Sequence, residues 1–238
     1  NKLTLESAGM SGALLAQFDA LVRQPHGIIL VTGPTGSGKT TTLYSALKRL
    51  DASSMNILTV EDPIEYELAG IGQTQINAKI GFSFAEALRS ILRQDPDVVM
   101  VGEIRDAETA QIAIQASLTG HLVIATLHTN DASSAITRLV EMGVEPYLLS
   151  SSLLGVLAQR LVRKVDPQQP GQLRGRTGIY ELLVVNDAIK DLINQRATDT
   201  DIRRAAVAAG MQTMRAYGED LVARGITTQA EVMMATAS

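Results

Sequence analysis

Gly27-Ile28-Ile29-Leu30-Val31-Thr32 runs straight into Gly33-Pro34-Thr35-Gly36-Ser37-Gly38-Lys39-Thr40, and Thr41 to Leu50 follows. The three pieces read as a buried strand, a glycine-rich loop and a helix. The loop fits G-x-x-x-x-G-K-[S/T], a spacing with a physical reason. Glycines let successive backbone N–H groups converge on phosphate oxygens. Lys39 is placed to reach the β and γ phosphates of a nucleotide, and Thr40 to offer its hydroxyl to Mg²⁺. The helix that follows aims its positive end at the same anion. Gly33, Pro34, Thr35, Gly36, Ser37, Gly38, Lys39, Thr40 and Thr41 are therefore the candidate nucleotide-binding residues. A flexible turn with an incidental lysine is the competing reading, and the flanking strand and helix argue against it.

Working outward, three more apolar runs resemble the first: Asn56 to Val60, Asp97 to Val101 and His121 to Thr126. They are continuous rather than alternating, as strands buried on both faces should be. Helical segments lie between them. Ser83 to Gln94 carries Phe84, Ala87, Leu88, Ile91 and Leu92 on one stripe, with a Ser83/Glu86 capping box at its start. Ala107 to Thr119 begins after Asp106 and stops at Gly120. Strands alternating with helices predict βαβ units and a mostly parallel sheet. After Gly143 the pattern changes. Tyr147 to Lys164 reads as a long helix, Asp166 to Gly178 as a connector, and Ile179 to Val184 as a strand. Helices are expected over Asp187 to Gln195, Asp201 to Ala209 and Gln212 to Arg224, with a Thr228/Glu231 capping box opening a last short one. The expected organisation is a linker and leading helix over 1–25, an α/β nucleotide-binding core of RecA-like type over 26–159, and a small, mostly helical part over 160–238.

Hydrolysis needs carboxylates as well as a phosphate loop, one for the metal and one for water. Val98-Val99-Met100-Val101-Gly102-Glu103 ends an apolar strand in a carboxylate, so Glu103 is the candidate metal residue together with Thr40. Glu61-Asp62-Pro63-Ile64-Glu65 follows another strand. Three carboxylates in five residues must be solvated or face cations. A general base is expected there, Glu65 in preference to Glu61. His128 follows the run ending at Thr126, where ligands bind in α/β sheets, and is expected to sense the terminal phosphate. His121 is an even choice between function and structure, and His26 is read as structural. Arg89, Arg93 and Arg105 are candidates to stabilise charge on the transferring phosphoryl group, on this site or a neighbour's. For each of them, a solvated helix face is the competing reading.

Composition narrows the class. The 238 residues carry 21 Lys and Arg against 25 Asp and Glu, a net charge of -4, so the basic footprint of a nucleic-acid binder is missing. Arg160, Arg163, Lys164, Arg174 and Arg176 form one basic cluster, read as solvated or facing protein. There is no cysteine, hence no cysteine zinc site, which suits a reducing cytoplasm. No apolar run approaches the ~20 residues that span a bilayer, and no secretory leader is evident. The chain opens with Asn1, not Met, which suggests a piece of a longer protein.

Together the loop Gly33 to Thr40, the acidic box Glu61 to Glu65, Leu92-Arg93-Gln94-Asp95-Pro96-Asp97 leading to Gly102-Glu103-Ile104-Arg105-Asp106, and Thr119-Gly120-His121 through His128-Thr129-Asn130 resemble the secretion ATPase superfamily. This superfamily holds the type II secretion ATPases and the type IV pilus assembly and retraction ATPases. Arg174-Gly175-Arg176-Thr177-Gly178-Ile179-Tyr180-Glu181-Leu182-Leu183, Gly210 to Met214 and Gly225 to Val232 are similar to the type II secretion and pilus-assembly branch. The resemblance implies a hexameric, Mg-dependent ATPase with sites shared between subunits. Its partners would be inner-membrane secretion platform proteins, and it would lie in the cytoplasm at the inner membrane, touching the membrane only through them. It puts the hydrolytic glutamate on Glu65 and the metal-associated glutamate on Glu103. Two departures stand out. The branch usually carries a zinc module with two CxxC pairs where this chain has Val162 to Leu173, so no zinc is expected. The family's N-terminal domains are also missing, with any arginines they bring. A type IV pilus assembly ATPase is the nearest alternative. A RecA-type nucleic-acid translocase and a scaffold that binds ATP without cleaving it are further ones.

Overall fold

The computed structural model describes residues 3–237, so Asn1 and Lys2 of the expected leading linker, and Ser238, lie outside the described residues. Helix α1 (Gly12–Val22) precedes strand β1 (Gly27–Thr32), and the glycine loop then opens α2 (Lys39–Lys48). The alternation continues through β2 (Ile57–Glu61), β3 (Gly72–Gln75), α3 (Phe84–Leu92), β4 (Val98–Val101), α4 (Ala107–Leu118), β5 (Leu122–Leu127), α5 (Ala132–Glu141) and α6 (Pro146–Ser152). Two long strands follow, β6 (Leu153–Val165) and β7 (Leu173–Val184), and then helices α7 (Asp187–Asn194), α8 (Asp199–Ala208), α9 (Met214–Ala223) and α10 (Gln229–Thr236).

Among the described residues the strands form one sheet in the order β3-β2-β4-β5-β1-β6-β7. Every neighbouring pair is parallel except β6 with β7. The expected α/β class with a mostly parallel sheet therefore holds. Strands β1, β2, β4 and β5 are buried along their whole length. That explains their unbroken apolar sequences: helices cover both faces. Local signals placed the helix starts. Ser83, Asp106, Asn186, Thr198, Thr213 and Thr228 each accept a hydrogen bond from the backbone N–H three residues on. No helix among the described residues is long and apolar enough to cross a membrane.

The expected helix over Tyr147 to Lys164 is corrected. Only Pro146–Ser152 is helical, and Leu153–Val165 is a strand that pairs β1 on one side and β7 on the other. A short apolar run buried on both faces has no periodicity that separates helix from strand. The deciding contacts are distant in sequence. A Cβ at Gly155 would stand 3.0 Å from the Leu183 carbonyl oxygen and 2.7 Å from Leu21 Cδ1, so only glycine lets β7 and α1 approach there. The expected connector is also shorter than read, because β7 starts at Leu173 and absorbs the strand expected from Ile179. The position expected for a boundary, Gln159, falls inside β6.

The chain's beginning and end are tied to this added edge of the sheet. Gly178 N–H and the Tyr180 hydroxyl both donate to Ala8 O, and the Tyr217 hydroxyl donates to Gly9 O. Tyr180 and Tyr217 meet edge to face with centroids 5.6 Å apart. At the other end Glu231 departs from the capping-box pattern. Its backbone N–H is capped by Thr228, but its carboxylate turns to the Arg163 guanidinium and backbone N–H on β6. That guanidinium holds the Glu231 carboxyl below the usual carboxylate range. A depressed carboxylate adds stability above its unfolded pKa, about 4.3, and loses it as pH falls through the folded value. Glu231→Gln is therefore expected to melt at a lower temperature than the parent at pH 7, with the gap closing below about pH 4. Thermal melts across that range check this, and a gap that does not change with pH would contradict it.

Candidate active site

The carboxyl ends of β1, β2, β4 and β5 open on one cleft of about 550 Å³. Its walls are the glycine loop and the start of α2, the acidic box after β2, Gly102 and Glu103 after β4, and Thr126 and His128 at the end of β5. Strand ends of an open parallel sheet are where ligands bind in this class of fold.

The loop has the backbone its sequence demands. Gly36 and Gly38 have φ of 81° and 89°, in the left-handed region that favours glycine. Gly33 answers a different constraint: a Cβ there would lie 2.5 Å from Gln159 O on β6. Gln159 is buried and braces the loop. Its amide donates to Ser37 O, and its side-chain oxygen accepts from the Thr42 hydroxyl in α2. Helix α2 starts with no side-chain cap and no acidic residue in its first turn, whereas Ser83, Asp106 and Asp131 cap α3, α4 and α5. Its first N–H groups are thus left to bind an anion. Lys39 Nζ donates to the Gly33 and Pro34 carbonyls and lies 3.0 Å from His128 Nδ1. Burial pushes the Lys39 ammonium below its ordinary pKa, and the charge of Glu103 opposes that shift.

From Lys39 a chain of polar contacts crosses the cleft. His128 Nε2 contacts one oxygen of Glu103, and Arg105 Nε donates to the other. The same guanidinium reaches Asp62 at 3.0 Å and lies over the Phe84 ring, 4.9 Å from its centroid. Phosphate loop, acidic box, β4 end and β5 end are thus joined by charged side chains. Thr40 is exposed on the cleft wall and Glu103 is largely covered. Both present oxygen donors of the kind Mg²⁺ takes, one or two at a time beside phosphate and water. Among the described residues no group of three or more His, Cys, Asp or Glu stands arranged to hold a metal alone.

The two glutamates of the acidic box have different surroundings. Glu61 is buried and accepts from the Tyr44 hydroxyl, the Thr59 hydroxyl at 2.7 Å and the Gln73 amide at 3.0 Å. Glu65 is exposed on the cleft wall, and its carboxylate has no hydrogen-bond or ion-pair partner among the described residues. Its backbone N–H donates to Tyr44 Oη at 3.1 Å. One tyrosine thus fixes both the structural carboxylate and the segment carrying the free one. Burial, and then the hydrogen bond to Glu61, push the Tyr44 hydroxyl up to about 12.

Not every expected residue reaches the cleft. Arg89 pairs with Glu108 at 2.7 Å and lines a separate hollow, together with His121. Arg93 is exposed past the end of α3. His121 stands at the opposite end of β5 from His128, with Nδ1 2.7 Å from Pro96 O, and serves the structure. Of the three candidate arginines, Arg105 alone joins the site among the described residues. Sequence reasoning missed Gln159, Tyr44 and the Thr32–Thr129 hydroxyl pair that anchors the His128 loop. Of these only Thr129 lies in a quoted motif, and each acts through a contact distant in sequence.

A family described as type II/IV secretion system protein matches residues 1–234. The chain belongs to that family. Type II secretion system protein HxcR of Pseudomonas aeruginosa is 61% identical over 252 residues, covering 99% of this chain and 54% of that protein. Type II secretion system ATPase E of Vibrio cholerae is 52% identical over 269 residues, covering 99% and 53%. The chain spans about half the length of the curated relatives it matches. Among solved structures, the pilus retraction motor PilT with bound ADP superposes with a TM-score of 0.83 at 36% identity, over 99% of this chain and 67% of that one. The Legionella pneumophila ATPase DotB gives 0.80 at 28% identity, over 97% and 64%. The type II/IV secretion family thus shares both the sequence and the fold of this chain.

Removing the Tyr44 hydroxyl isolates its two duties. Tyr44→Phe is expected to cost about 1–3 kcal/mol, because the buried Glu61 loses a donor. It should also lower any turnover that depends on the placement of Glu65. Denaturant unfolding checks the first effect, and a midpoint equal to the parent's would contradict it.

Proposed function

We propose that the chain is the ATP-hydrolysing motor part of a type II secretion ATPase. The observation that carries the proposal is the cleft itself: an uncapped helix N-terminus behind a glycine loop faces two inequivalent carboxylates, Glu65 free and Glu103 held between His128 and Arg105. The names of the relatives support the secretion machine. The identities to type II secretion proteins run from 48% to 61%, above the 36% identity to the pilus retraction motor. A pilus-assembly role is the second choice. A net charge of -4 weighs against a nucleic-acid translocase.

In this reading the phosphates of ATP lie on the N–H groups of Gly36 to Thr40. Lys39 exchanges its carbonyl partners for the β and γ oxygens, which are stronger acceptors. Thr40 and Glu103 would hold Mg²⁺, which supplies charge neutralisation on the transferring phosphoryl group. Glu65 orients the attacking water and takes its proton. His128, already against Lys39 and Glu103, meets the terminal phosphate. Arg105 keeps the Glu103 carboxylate in place through its Nε, while its Nη1 reaches Asp62. Arg89 and Arg93 lie on an outer face from which they would serve a neighbouring subunit in a hexamer. The proposed setting is cytoplasmic, at the inner membrane, on secretion platform proteins.

Steady-state ATP hydrolysis with Mg²⁺ tests the roles. Glu65→Gln is expected to lower kcat by at least about 10²-fold while ATP affinity stays within about threefold. Lys39→Ala is expected to lose ATP binding itself. A Glu65→Gln protein that turns over at the parent rate would sink the assignment. A parent that binds ATP but never cleaves it, at any protein concentration, would favour a nucleotide-binding scaffold.

A further inference from the structure

Arg160 sits on β6, two residues past the last pairing of that strand with β1, beside the phosphate loop. Its guanidinium bridges two carbonyls. Nη2 donates to Asn130 O at 3.1 Å, two residues beyond His128, and Nη1 donates to Ala235 O at 2.7 Å, in the last turn of α10. Its Nε is shut off from solvent without a partner. The plane of the fork is therefore set by the packing around it and by those two carbonyls.

Both carbonyls belong to well-anchored segments. On the His128 side, Thr129 is tied to Thr32, and the first N–H of α5 donates to the buried Glu181. On the α10 side, Arg215 donates to the hydroxyl and carbonyl of Thr236, and Glu231 holds Arg163. A guanidinium presents its donors in fixed directions, so it cannot follow one carbonyl without turning away from the other. Helix α10 carries Met233 and Met234, 44% and 67% exposed, and Met234 lines the hollow that also holds Pro34 to Ser37 and Arg160 whereas Met233 does not.

We infer that Arg160 is a positioning residue that couples the His128–Asn130 loop to α10. Engagement of His128 by the terminal phosphate of ATP moves the Asn130 carbonyl, and the guanidinium passes that displacement to the Met233 side of α10. By reciprocity a load on that side changes nucleotide affinity at the cleft. The inference rests on the reading of the cleft as an ATP site.

The chain has no cysteine, so Met233→Cys, away from the hollow beside the phosphate loop, gives one thiol for an environment-sensitive fluorophore. The label is titrated with a non-hydrolysable ATP analogue and Mg²⁺, with and without Arg160→Gln. Coupling predicts a label response in the first protein that falls at least about fivefold with Arg160→Gln, although analogue affinity changes by less than about threefold. In unlabelled protein kcat should fall by about tenfold with KM little changed. An undiminished response in the Arg160→Gln form would overturn the inference, and so would a silent label on a protein that binds the analogue. If Arg160→Gln loses its fold by circular dichroism, Arg160→Lys is judged by the same criteria, since it keeps the charge and loses the fork. A parent that fails to bind the analogue would reject the ATP-site reading itself, and the coupling with it.

Discussion

The close approach of β6 to the phosphate loop is the constraint on which the rest depends. Gln159 presses its backbone oxygen where a side chain on Gly33 would stand, and its amide grips Ser37 and Thr42. A loop of glycines is entropically costly to hold in one shape. Here a neighbouring buried strand supplies the restraint, so the loop need not order itself around its ligand. The same strand carries Arg160 and Arg163, which reach α10. Phosphate loop and C-terminal helices therefore hang from one element of the sheet.

The second organising feature is the run of charge from Lys39 through His128, Glu103 and Arg105 to Asp62. Its members follow four strands, Lys39 after β1, Asp62 after β2, Glu103 and Arg105 after β4 and His128 after β5, so the parallel sheet brings together groups far apart in sequence. Between Arg105 and its two carboxylates, Glu103 and Asp62, the signs alternate, so those charges sit close without leaving an ion unpaired. Glu65 stands outside this chain with a free carboxylate, the state a base requires, while Glu61, four residues earlier at the end of β2, is fully hydrogen-bonded. Two acids of one type in one short box thus differ in burial and in hydrogen bonding.

Much of this was legible in the sequence, for reasons specific to each element. Loop and caps are local: Gly36 and Gly38 need positive φ, and Ser83, Asp106 and Thr228 need only the N–H three residues on. The buried strands β1, β2, β4 and β5 announce themselves by unbroken apolar runs. β6 did not, because its run suits a buried helix equally well and its partners lie far away in sequence. Within the site, the motif residues Lys39, Glu65, Glu103 and His128 meet in one cleft as read. Arg89 and Arg93 lie away from this cleft, since α3 carries them to an outer face, which leaves the expectation of a role on a neighbour's site. Tyr44 and Gln159 carried no signal at all, because their importance lies in what they touch.

The proposed function requires the carboxyl ends of these parallel strands to hold a nucleoside triphosphate by its phosphates. Calorimetric titration of the chain with ATP and Mg²⁺ measures that binding. One ATP is expected to bind per chain, displaced by ADP and abolished when Lys39 is replaced by alanine. Equal heats for the parent and Lys39→Ala proteins, or no heat at millimolar ATP, would contradict it.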